Sequence, residues 1–352
     1  MRRKQWYMVS VYSFTHFLVD FACAYLMFRS ISQSSGWYIC ILLYNFCAFA
    51  MQMPIGLIAD KLNRNYIFAF AGVLLVTGAY ALVGAPLAAT IVVGIGNGLF
   101  HIGGGVDVLN ISEEKSGALG VFVSPGAFGV YFGTLLGKGS NLTSPPIVLL
   151  LLASAGAILI SRRLWSEAYT DNAPFSLEAA PRLMTAVGCL FLVVCMRSYV
   201  GLSISFPWKS AGYWAVALVC ATVFGKVAGG FLADRFKIVK TATVSLGVAA
   251  LLFLVPQYPA AGVSSVLLFN MTMPITLWVV AKLFPGAKGF SFGLLTFGLF
   301  LGFLPVHLGA QAPPYWLYAI LAAISLALLL AGILSPKSGT LKNAISTRRR
   351  LL

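Results

Sequence analysis

Long blocks of apolar residues fill the chain, and short polar stretches separate one block from the next. A helix needs about 17–25 apolar residues to cross the hydrocarbon core of a bilayer, and the blocks have this length. The pattern therefore predicts an all-α membrane protein with twelve transmembrane helices and no separate soluble domain. The predicted spans lie near residues 6–28, 35–59, 66–85, 87–109, 116–137, 145–161, 183–205, 211–233, 240–256, 259–282, 288–308 and 314–334.

The composition argues against a soluble protein. Hydrophobic residues make up 59% of the 352-residue chain and charged residues only 9%, whereas a soluble domain carries about 25% charged residues. The net charge of +15 does not indicate nucleic-acid binding, because the basic residues lie in short runs between apolar blocks, as they do in membrane proteins. We expect the lipid bilayer, and no nucleic acid, to be the partner of this surface.

The basic residues also predict the orientation. Most of the 24 Lys and Arg residues fall in alternate loops, and loops of this kind stay on the cytoplasmic side. Both termini are then cytoplasmic, in what we expect to be a bacterial cytoplasmic membrane. The predicted organisation is an N-terminal six-helix half (1–160), a cytoplasmic linker loop (161–182), a C-terminal six-helix half (183–336) and a basic cytoplasmic tail (337–352).

A short sequence motif occurs twice. Gly56–Lys61 reads GLIADK and Gly230–Arg235 reads GFLADR, and each copy ends the second span of its half. The fifth and eleventh spans also correspond, through one Lys and two Gly residues with equal spacing: Lys115, Gly120 and Gly129 against Lys288, Gly293 and Gly302. Two matches in register predict duplicated, pseudo-symmetric halves, a common transporter architecture.

With the residues that follow it, the first copy forms a Gly-x-x-x-Asp-(Arg/Lys)-x-(Gly/Asn)-Arg pattern over Gly56–Arg64. This pattern resembles the loop 2–3 signature of the major facilitator superfamily, and the second copy resembles its counterpart in loop 8–9. The resemblance implies a major facilitator-type fold, alternating access, and a pairing of Arg64 with Asp107 at the end of span four. It assigns a conformational-switch role to Gly56, Asp60, Lys61, Arg64, Asp107, Gly230, Asp234 and Arg235.

The residue types of the motif suit such a switch. Gly56 has no side chain, so a neighbouring helix can approach closely. The Asp60 carboxylate can contact a helix terminus or a basic group of the other half in one conformation and lose that partner in the other. A contact that exists in only one conformation biases the equilibrium between the two.

Three stretches resemble the fosmidomycin-resistance exporters within the superfamily. They are Thr15–Asp20 (THFLVD) in span one, Phe100–His101 in span four and Arg197–Tyr199 in span seven. In span five, Ser124–Gly129 partly resembles the Gly-Pro motif of antiporters, with Ser124 in place of the motif's Gly. This resemblance implies an exporter.

A few polar side chains fall inside the predicted spans, where a charge costs about 2.5–3.5 kcal/mol on insertion scales and usually faces a cavity or a partner. Asp20 is the acid that lies deepest, and His16 precedes it by one helical turn. Arg197 lies at a similar depth in span seven, so we expect an Asp20–Arg197 pair, either structural or part of a gate. The candidate substrate and proton pathway comprises His16, Asp20, Asn45, Gln52, His101, Arg197, Lys226 and Asn270.

Repeat positions relate several of these residues. His101 corresponds to Asn270, and Gln52 corresponds to Lys226. His101 either hydrogen-bonds a neighbouring helix or belongs to a binding site. Lys226 either meets an anionic substrate or extends to the cytoplasmic surface. Asn45 and Gln52 are seven residues apart, which predicts that they share one helical face.

Together these observations predict a secondary active transporter of a small polar or anionic solute, a monomer that is driven by protons and exports its solute by antiport. The proton prediction rests on Asp20, with His16 and His101 as helpers. No G-x-x-x-x-G-K-[ST] motif supports ATP-driven transport, and no catalytic, cofactor-binding or metal-binding pattern indicates an enzyme. A proton-coupled uptake symporter, an uncoupled facilitator and a non-transporting sensor or assembly partner remain as alternatives.

Overall fold

The computed structural model describes residues 3–139, 142–177 and 180–335, and the regular secondary structure in these ranges is helical. The basic tail predicted over 337–352 lies outside the described residues. The α-helices are α1 (Arg3–Arg29), α2 (Trp37–Asn45), α3 (Gln52–Leu62), α4 (Asn65–Ala79), α5 (Pro86–Ile111), α6 (Gly117–Val123), α7 (Pro125–Gly139), α8 (Ser144–Leu164), α9 (Pro181–Ser203), α10 (Trp214–Phe236), α11 (Ile238–Leu252), α12 (Pro259–Asn270), α13 (Thr272–Leu283), α14 (Lys288–His307) and α15 (Tyr315–Leu334).

Eleven stretches of the described chain are long and apolar enough to cross a membrane, as expected of an integral membrane protein. They correspond to all the predicted spans except the ninth. There α11 has 15 residues, fewer than the roughly 20 that a span requires, because the chain turns at Phe253 and Leu254 before Pro256. A twelfth crossing at this position stays a prediction.

Glycine rows let the helices pack closely. One row lies along α7 and the other along α14: Gly129, Gly133, Gly137 and Gly293, Gly298, Gly302. A Cβ atom added at Gly133 would overlap the carbonyl oxygen of Phe21 in α1, and one at Gly302 would overlap that of Cys195 in α9. The rows therefore place backbones in direct contact, which is how membrane helices gain packing energy.

Several spans are interrupted along their length. Span five breaks at Ser124, between α6 and α7, because Pro125 has no N–H to donate to the Val121 carbonyl and its ring crowds that oxygen. In span two a π-helical turn, Phe46–Ala50, separates α2 from α3. In span ten Met271 separates α12 from α13. Breaks of this kind free backbone carbonyls for side chains of neighbouring helices.

One end of the bundle, here named the motif end, holds the start of α1, the ends of α3 and α10, and the segment 165–177 that follows α8. Lys4 in α1 forms an ion pair with Glu167 of this segment. Further along, Asn172 donates to the Ala59 carbonyl at 3.1 Å, and the Ser176 N–H donates to the Gly286 carbonyl at 3.3 Å. The segment, which falls within the predicted linker loop, thus contacts α3 and the loop between α13 and α14.

Candidate functional site

Three titratable side chains from two helices meet inside the bundle. His16 and Asp20 lie one turn apart on α1, and His101 faces them from α5. The Asp20 carboxylate lies 3.2 Å from His16 Nε2 and 3.7 Å from His101 Nε2, and it accepts a hydrogen bond of 2.9 Å from the Asn97 amide. The Asp20 side chain is 13% exposed, and both imidazoles are buried. Asp20 and its two predicted helpers are therefore in contact, and we name them the His–Asp cluster.

The break in span five supplies acceptors to this region. Pro125 leaves the Val121 carbonyl without its helical donor, and the next two carbonyls also face other helices. Three successive carbonyl oxygens accept side-chain hydrogen bonds, at Val121 from Ser13 (3.4 Å), at Phe122 from His16 Nδ1 (2.7 Å) and at Val123 from Lys226 Nζ (3.2 Å). The helix break at Pro125 thus exposes the backbone carbonyls that orient the side chains of this region.

The hydrogen bonds of the two imidazoles define where their protons lie. His16 Nδ1 lies 2.7 Å from the Phe122 carbonyl oxygen, and His101 Nδ1 lies 2.9 Å from that of Asn97. A carbonyl oxygen only accepts, so each Nδ1 carries a proton and donates it. The two Nε2 atoms face each other at 2.9 Å, and two lone pairs cannot bond. A hydrogen bond at this distance requires one proton between the two Nε2 atoms, so the geometry suits a proton shared by the pair beside the Asp20 carboxylate.

The spacing of these atoms separates a shared proton from a bound metal ion. Within the described ranges the donor atoms of the cluster lie within 4.8 Å of one another, close enough to hold a metal. Nitrogen ligands about 2.0–2.1 Å from a tetrahedral ion lie about 3.3 Å apart, whereas the two Nε2 atoms are 2.9 Å apart. The shorter distance is typical of a hydrogen bond, so the arrangement fits a proton better than a metal.

Gly126 leaves the space that the cluster occupies. A Cβ atom at this position would overlap both Asp20 Oδ2 and His16 Nε2. Gly126 stands at the start of α7, directly after the break at Ser124 and Pro125. The stretch that partly resembles an antiporter motif is therefore in direct contact with the cluster.

The prediction of an Asp20–Arg197 pair is wrong. The Asp20 carboxylate contacts His16, His101 and Asn97 instead. No acid of the described chain lies within ion-pair distance of Arg197, which is buried at 8% exposure and whose Nη1 has no hydrogen-bond partner there. Asp20 and Arg197 lie at a similar depth in their spans, which indicated a pair. However, α5 packs beside α1 and brings Asn97 and His101 to the carboxylate.

Lys226 interacts through its charge with residues of two different spans. Its Nζ donates to the Val123 carbonyl at 3.2 Å, and its charge interacts with both Arg197 and Asp20. It therefore bonds to a neighbouring helix inside the bundle and does not extend to the surface, which removes the second of the two alternatives for this residue.

The other polar candidates of the pathway bond to their own helices. Asn45 donates to the Ile41 carbonyl (2.8 Å), Gln52 to that of Ala48 (2.5 Å) and Asn270 to that of Val266 (2.9 Å). The π-helical turn between Asn45 and Gln52 changes the helical register, so Asn45 is half-buried whereas Gln52 is completely buried. The structure does not bring these three side chains to the His–Asp cluster.

At the motif end, each copy of the repeated motif caps a helix from the distant part of the chain. Asp60 accepts hydrogen bonds of 2.7 and 2.8 Å from first-turn N–H groups of α14. Asp234 accepts hydrogen bonds of 2.7 and 3.0 Å from N–H groups at the start of α6. A carboxylate at a helix N-terminus satisfies unpaired N–H groups and meets the positive end of the helix dipole. The two copies therefore make the same contact in opposite directions.

The glycines of the motif permit these caps. A Cβ atom at Gly56 would overlap the Gly289 carbonyl, and one at Gly230 would lie 2.8 Å from the Ser116 carbonyl oxygen. The basic residues contact aromatic rings instead: Lys61 Nζ lies 5.1 Å from the ring centroid of Phe175, and Arg235 Cζ lies 5.6 Å from that of Phe236. The caps thus depend on Gly and Asp, with the basic residues outside them.

The pairing of Arg64 with Asp107 is also wrong. Asp107 is buried and accepts hydrogen bonds from the Tyr12 hydroxyl at 2.7 Å and from the Asn65 amide at 2.9 Å. Asn65 is the first residue of α4 and points into the bundle, whereas Arg64 precedes the helix and is exposed. The acid is therefore satisfied by the residue next to the expected one.

Sequence reasoning missed two partners of the buried acids. Asn97 contacts Asp20, and Tyr12 contacts Asp107. Asn97 precedes His101 by one helical turn, and Tyr12 precedes His16 by one turn. Helical spacing from the candidates already chosen would have indicated both.

No protein-family model matches the sequence, and no curated protein matches it either. Solved structures do match. The E. coli fucose:proton symporter FucP is 14% identical, with a TM-score of 0.62 over 94% of this chain and 98% of the symporter. FucP in the outward conformation gives 14% identity and a TM-score of 0.64 over 96% and 100%. The human organic anion transporter MFSD10 (TETRAN) gives 16% identity and a TM-score of 0.63 over 94% and 100%. The fold of this chain is therefore that of the major facilitator superfamily transporters.

Proposed function

We propose that this protein is a secondary transporter that moves a small polar or anionic solute by alternating access. The observation that carries the proposal is the pair of reciprocal caps, Asp60 on α14 and Asp234 on α6. These contacts close the motif end and must break before that end can open. Charge-assisted contacts that exist in one conformation only are what a two-state carrier needs. A static sensor or assembly partner gains nothing from them.

We further propose the organisation predicted from the sequence. Twelve crossings form two six-helix halves, 1–160 and 183–336, joined by the linker loop 161–182. The reciprocity of the caps supports this division. Asp60 caps the start of α14 in span eleven, Asp234 caps the start of α6 in span five, and these two spans correspond in the repeat. The motif end is then the cytoplasmic side, in accordance with the distribution of Lys and Arg.

Proton coupling is proposed to occur at the His–Asp cluster. Its histidines hold one proton between two Nε2 atoms 2.9 Å apart, and Asp20 balances the charge. Loss of that proton leaves two facing lone pairs and an uncompensated carboxylate, so protonation and the local packing of α1 against α5 depend on each other. An ionisable group that changes its contacts when it loses a proton can couple proton movement to a conformational change.

The direction of transport is proposed to be export. The likeness of Thr15–Asp20, Phe100–His101 and Arg197–Tyr199 to the fosmidomycin-resistance exporters supports antiport. Symport is the second candidate, favoured by the similarity of fold to the fucose:proton symporter. Both directions use the same titratable cluster, so the sign of proton movement distinguishes them.

Solute-driven proton movement in proteoliposomes tests the proposal. The full-length protein is reconstituted with a pH-sensitive dye trapped inside, and small carboxylates, phosphate esters and neutral sugars are added outside. Entry of a solute by antiport makes the interior alkaline, and entry by symport makes it acidic. Either change must be absent with Asp20→Asn protein.

Two outcomes would contradict parts of the proposal separately. Uptake of a labelled solute with no change of internal pH would remove proton coupling and leave an uncoupled facilitator. Failure of the motif end to open under any condition, measured as a fixed distance between spin labels on that end, would remove alternating access.

A further inference from the structure

Arg197 is a buried cation without a counter-ion. Its guanidinium makes no ion pair and its Nη1 no hydrogen bond within the ranges that the structure describes, although the residue is only 8% exposed. Burying a charged group without a partner is strongly unfavourable. A guanidinium is never neutralised by losing its proton in a protein, so this arrangement requires a partner from outside the described residues.

A second cation interacts with the first through its charge. Lys226 interacts electrostatically with Arg197, and its only hydrogen bond within the described chain goes to the Val123 carbonyl, which carries no net charge. An ammonium group has three donors. Lys226 therefore also has donors left over for a ligand.

The acid in this region does not balance the two cations. The Asp20 carboxylate is already in contact with His16, His101 and Asn97 and makes no ion pair with either cation. Arg197 and Lys226 are thus an excess of positive charge inside an apolar bundle. Water molecules could satisfy their donors, but only an anion neutralises their charge.

We propose that Arg197 and Lys226 bind the oxyanion group of the transported solute, a carboxylate or a phosphate. This inference rests on the proposed function, because it assigns a solute class to the same pathway. The planar guanidinium donates two parallel hydrogen bonds to two oxygens of such a group, and Lys226 adds a point charge. The remainder of the solute then lies beside the His–Asp cluster, since Lys226 donates to the Val123 carbonyl and His16 contacts the neighbouring Phe122 carbonyl.

Thermal stabilisation of the full-length protein in detergent tests the site. Melting temperatures are measured with sodium phosphate, sodium acetate and sodium succinate, against sodium chloride at the same ionic strength. The test variant is Arg197→Gln. The matched control is Arg182→Gln, which neutralises an exposed arginine at the start of the same helix.

We expect a saturable rise of the melting temperature in wild-type and Arg182→Gln protein, and an apparent affinity about 10–100-fold weaker in Arg197→Gln, the ratio expected for losing hydrogen bonds to a charged group. Stabilisation by phosphate alone identifies a phosphate group, and stabilisation by acetate or succinate identifies a carboxylate. Without any oxyanion, Arg197→Gln should melt above wild type, since a buried unpaired charge has been removed.

Three results would overturn the inference. The first is equal stabilisation of Arg197→Gln and wild type by the anions. The second is that none of the three anions stabilises wild type more than chloride does. The third is a melting temperature of anion-free Arg197→Gln below that of anion-free wild type. The last result would mean that Arg197 has a structural role. Since binding is measured without proton movement, loss of proton coupling with binding intact would refute only the proposed coupling.

Discussion

The Nε2 atoms of His16 and His101 face each other at 2.9 Å, and the Nδ1 of each ring donates to a backbone carbonyl. The contact joins α1 to α5 beside the Asp20 carboxylate. Because the carbonyls fix both rings, the histidines cannot turn to remove the repulsion that follows loss of the shared proton. The cluster must instead separate, so its geometry depends on its protonation.

Replacing Asp20 by Asn should abolish accumulation of the solute driven by a pH gradient. The histidine cation would lose its counter-ion, and a buried unpaired charge costs several kcal/mol, so the shared proton should no longer be held. Exchange of labelled for unlabelled solute should survive, because exchange needs no net proton movement. Both are measured in proteoliposomes, with Asp171→Asn, at an exposed acid of the linker segment, as the control. Accumulation by the Asp20→Asn protein would show that another group carries the proton.

Gly126→Ala should disturb the same cluster through space alone. The new Cβ would overlap Asp20 Oδ2 and His16 Nε2, and overpacking of this kind costs about 1–3 kcal/mol. Gly156→Ala is the matched control, since nothing lies within 4 Å of a Cβ atom there. We expect a lower melting temperature and weaker proton coupling in Gly126→Ala only. Equal behaviour of the two variants would mean that the space beside the cluster is not filled as described.

Asp60→Asn should shift the conformational equilibrium towards opening of the motif end. The carboxylate accepts two hydrogen bonds from the start of α14, and an amide loses the charge that favours them. The shift should be about 1–3 kcal/mol, or about 5–150-fold in population. Affinity for the solute, measured on protein already open at that end, should hardly change.

The distance between spin labels at Leu62 and Phe236 measures this shift. Both side chains are exposed, at 56% and 46%, at the ends of α3 and α10. The labels are attached to cysteines in a protein whose six native cysteines have been replaced. Glu114→Gln, which neutralises an exposed acid, is the control. An unchanged distance distribution together with a collapse in affinity would place Asp60 in the substrate path.

Tyr12→Phe should destabilise the protein without changing its conformational equilibrium. The Tyr12 hydroxyl donates a buried hydrogen bond of 2.7 Å to Asp107, and losing a hydrogen bond to a charged group costs about 1.5–3 kcal/mol. Tyr258→Phe, at an exposed tyrosine, should be neutral. The free energy of unfolding in detergent distinguishes the two. No loss of stability in Tyr12→Phe would mean that Asn65 alone satisfies Asp107.

The sequence predicted the helical, membrane-spanning character of the fold and part of the site. Hydropathy gave the spans, and the repeated Gly-Asp motif indicated where distant helices meet, because both signals are local along the chain. The contact between His16 and Asp20 followed from helical spacing. The Asp20–Arg197 pair failed because depth in the membrane can be read from a span, whereas the direction in which a side chain points across the bundle cannot.

Segment 165–177 offers a way to observe the proposed opening of the motif end. Asn172 donates to the Ala59 carbonyl and accepts hydrogen bonds from Asn65 and Asn110, while Ser176 donates to the Gly286 carbonyl. The segment is therefore hydrogen-bonded both to α3 and to the loop before α14. If these two parts move apart when the motif end opens, the segment must lose its hydrogen bonds to at least one of them. Its backbone amides should therefore exchange with deuterium faster when the motif end is open than when it is closed. A protease that cuts this segment should likewise cut the open conformation and leave the closed one intact.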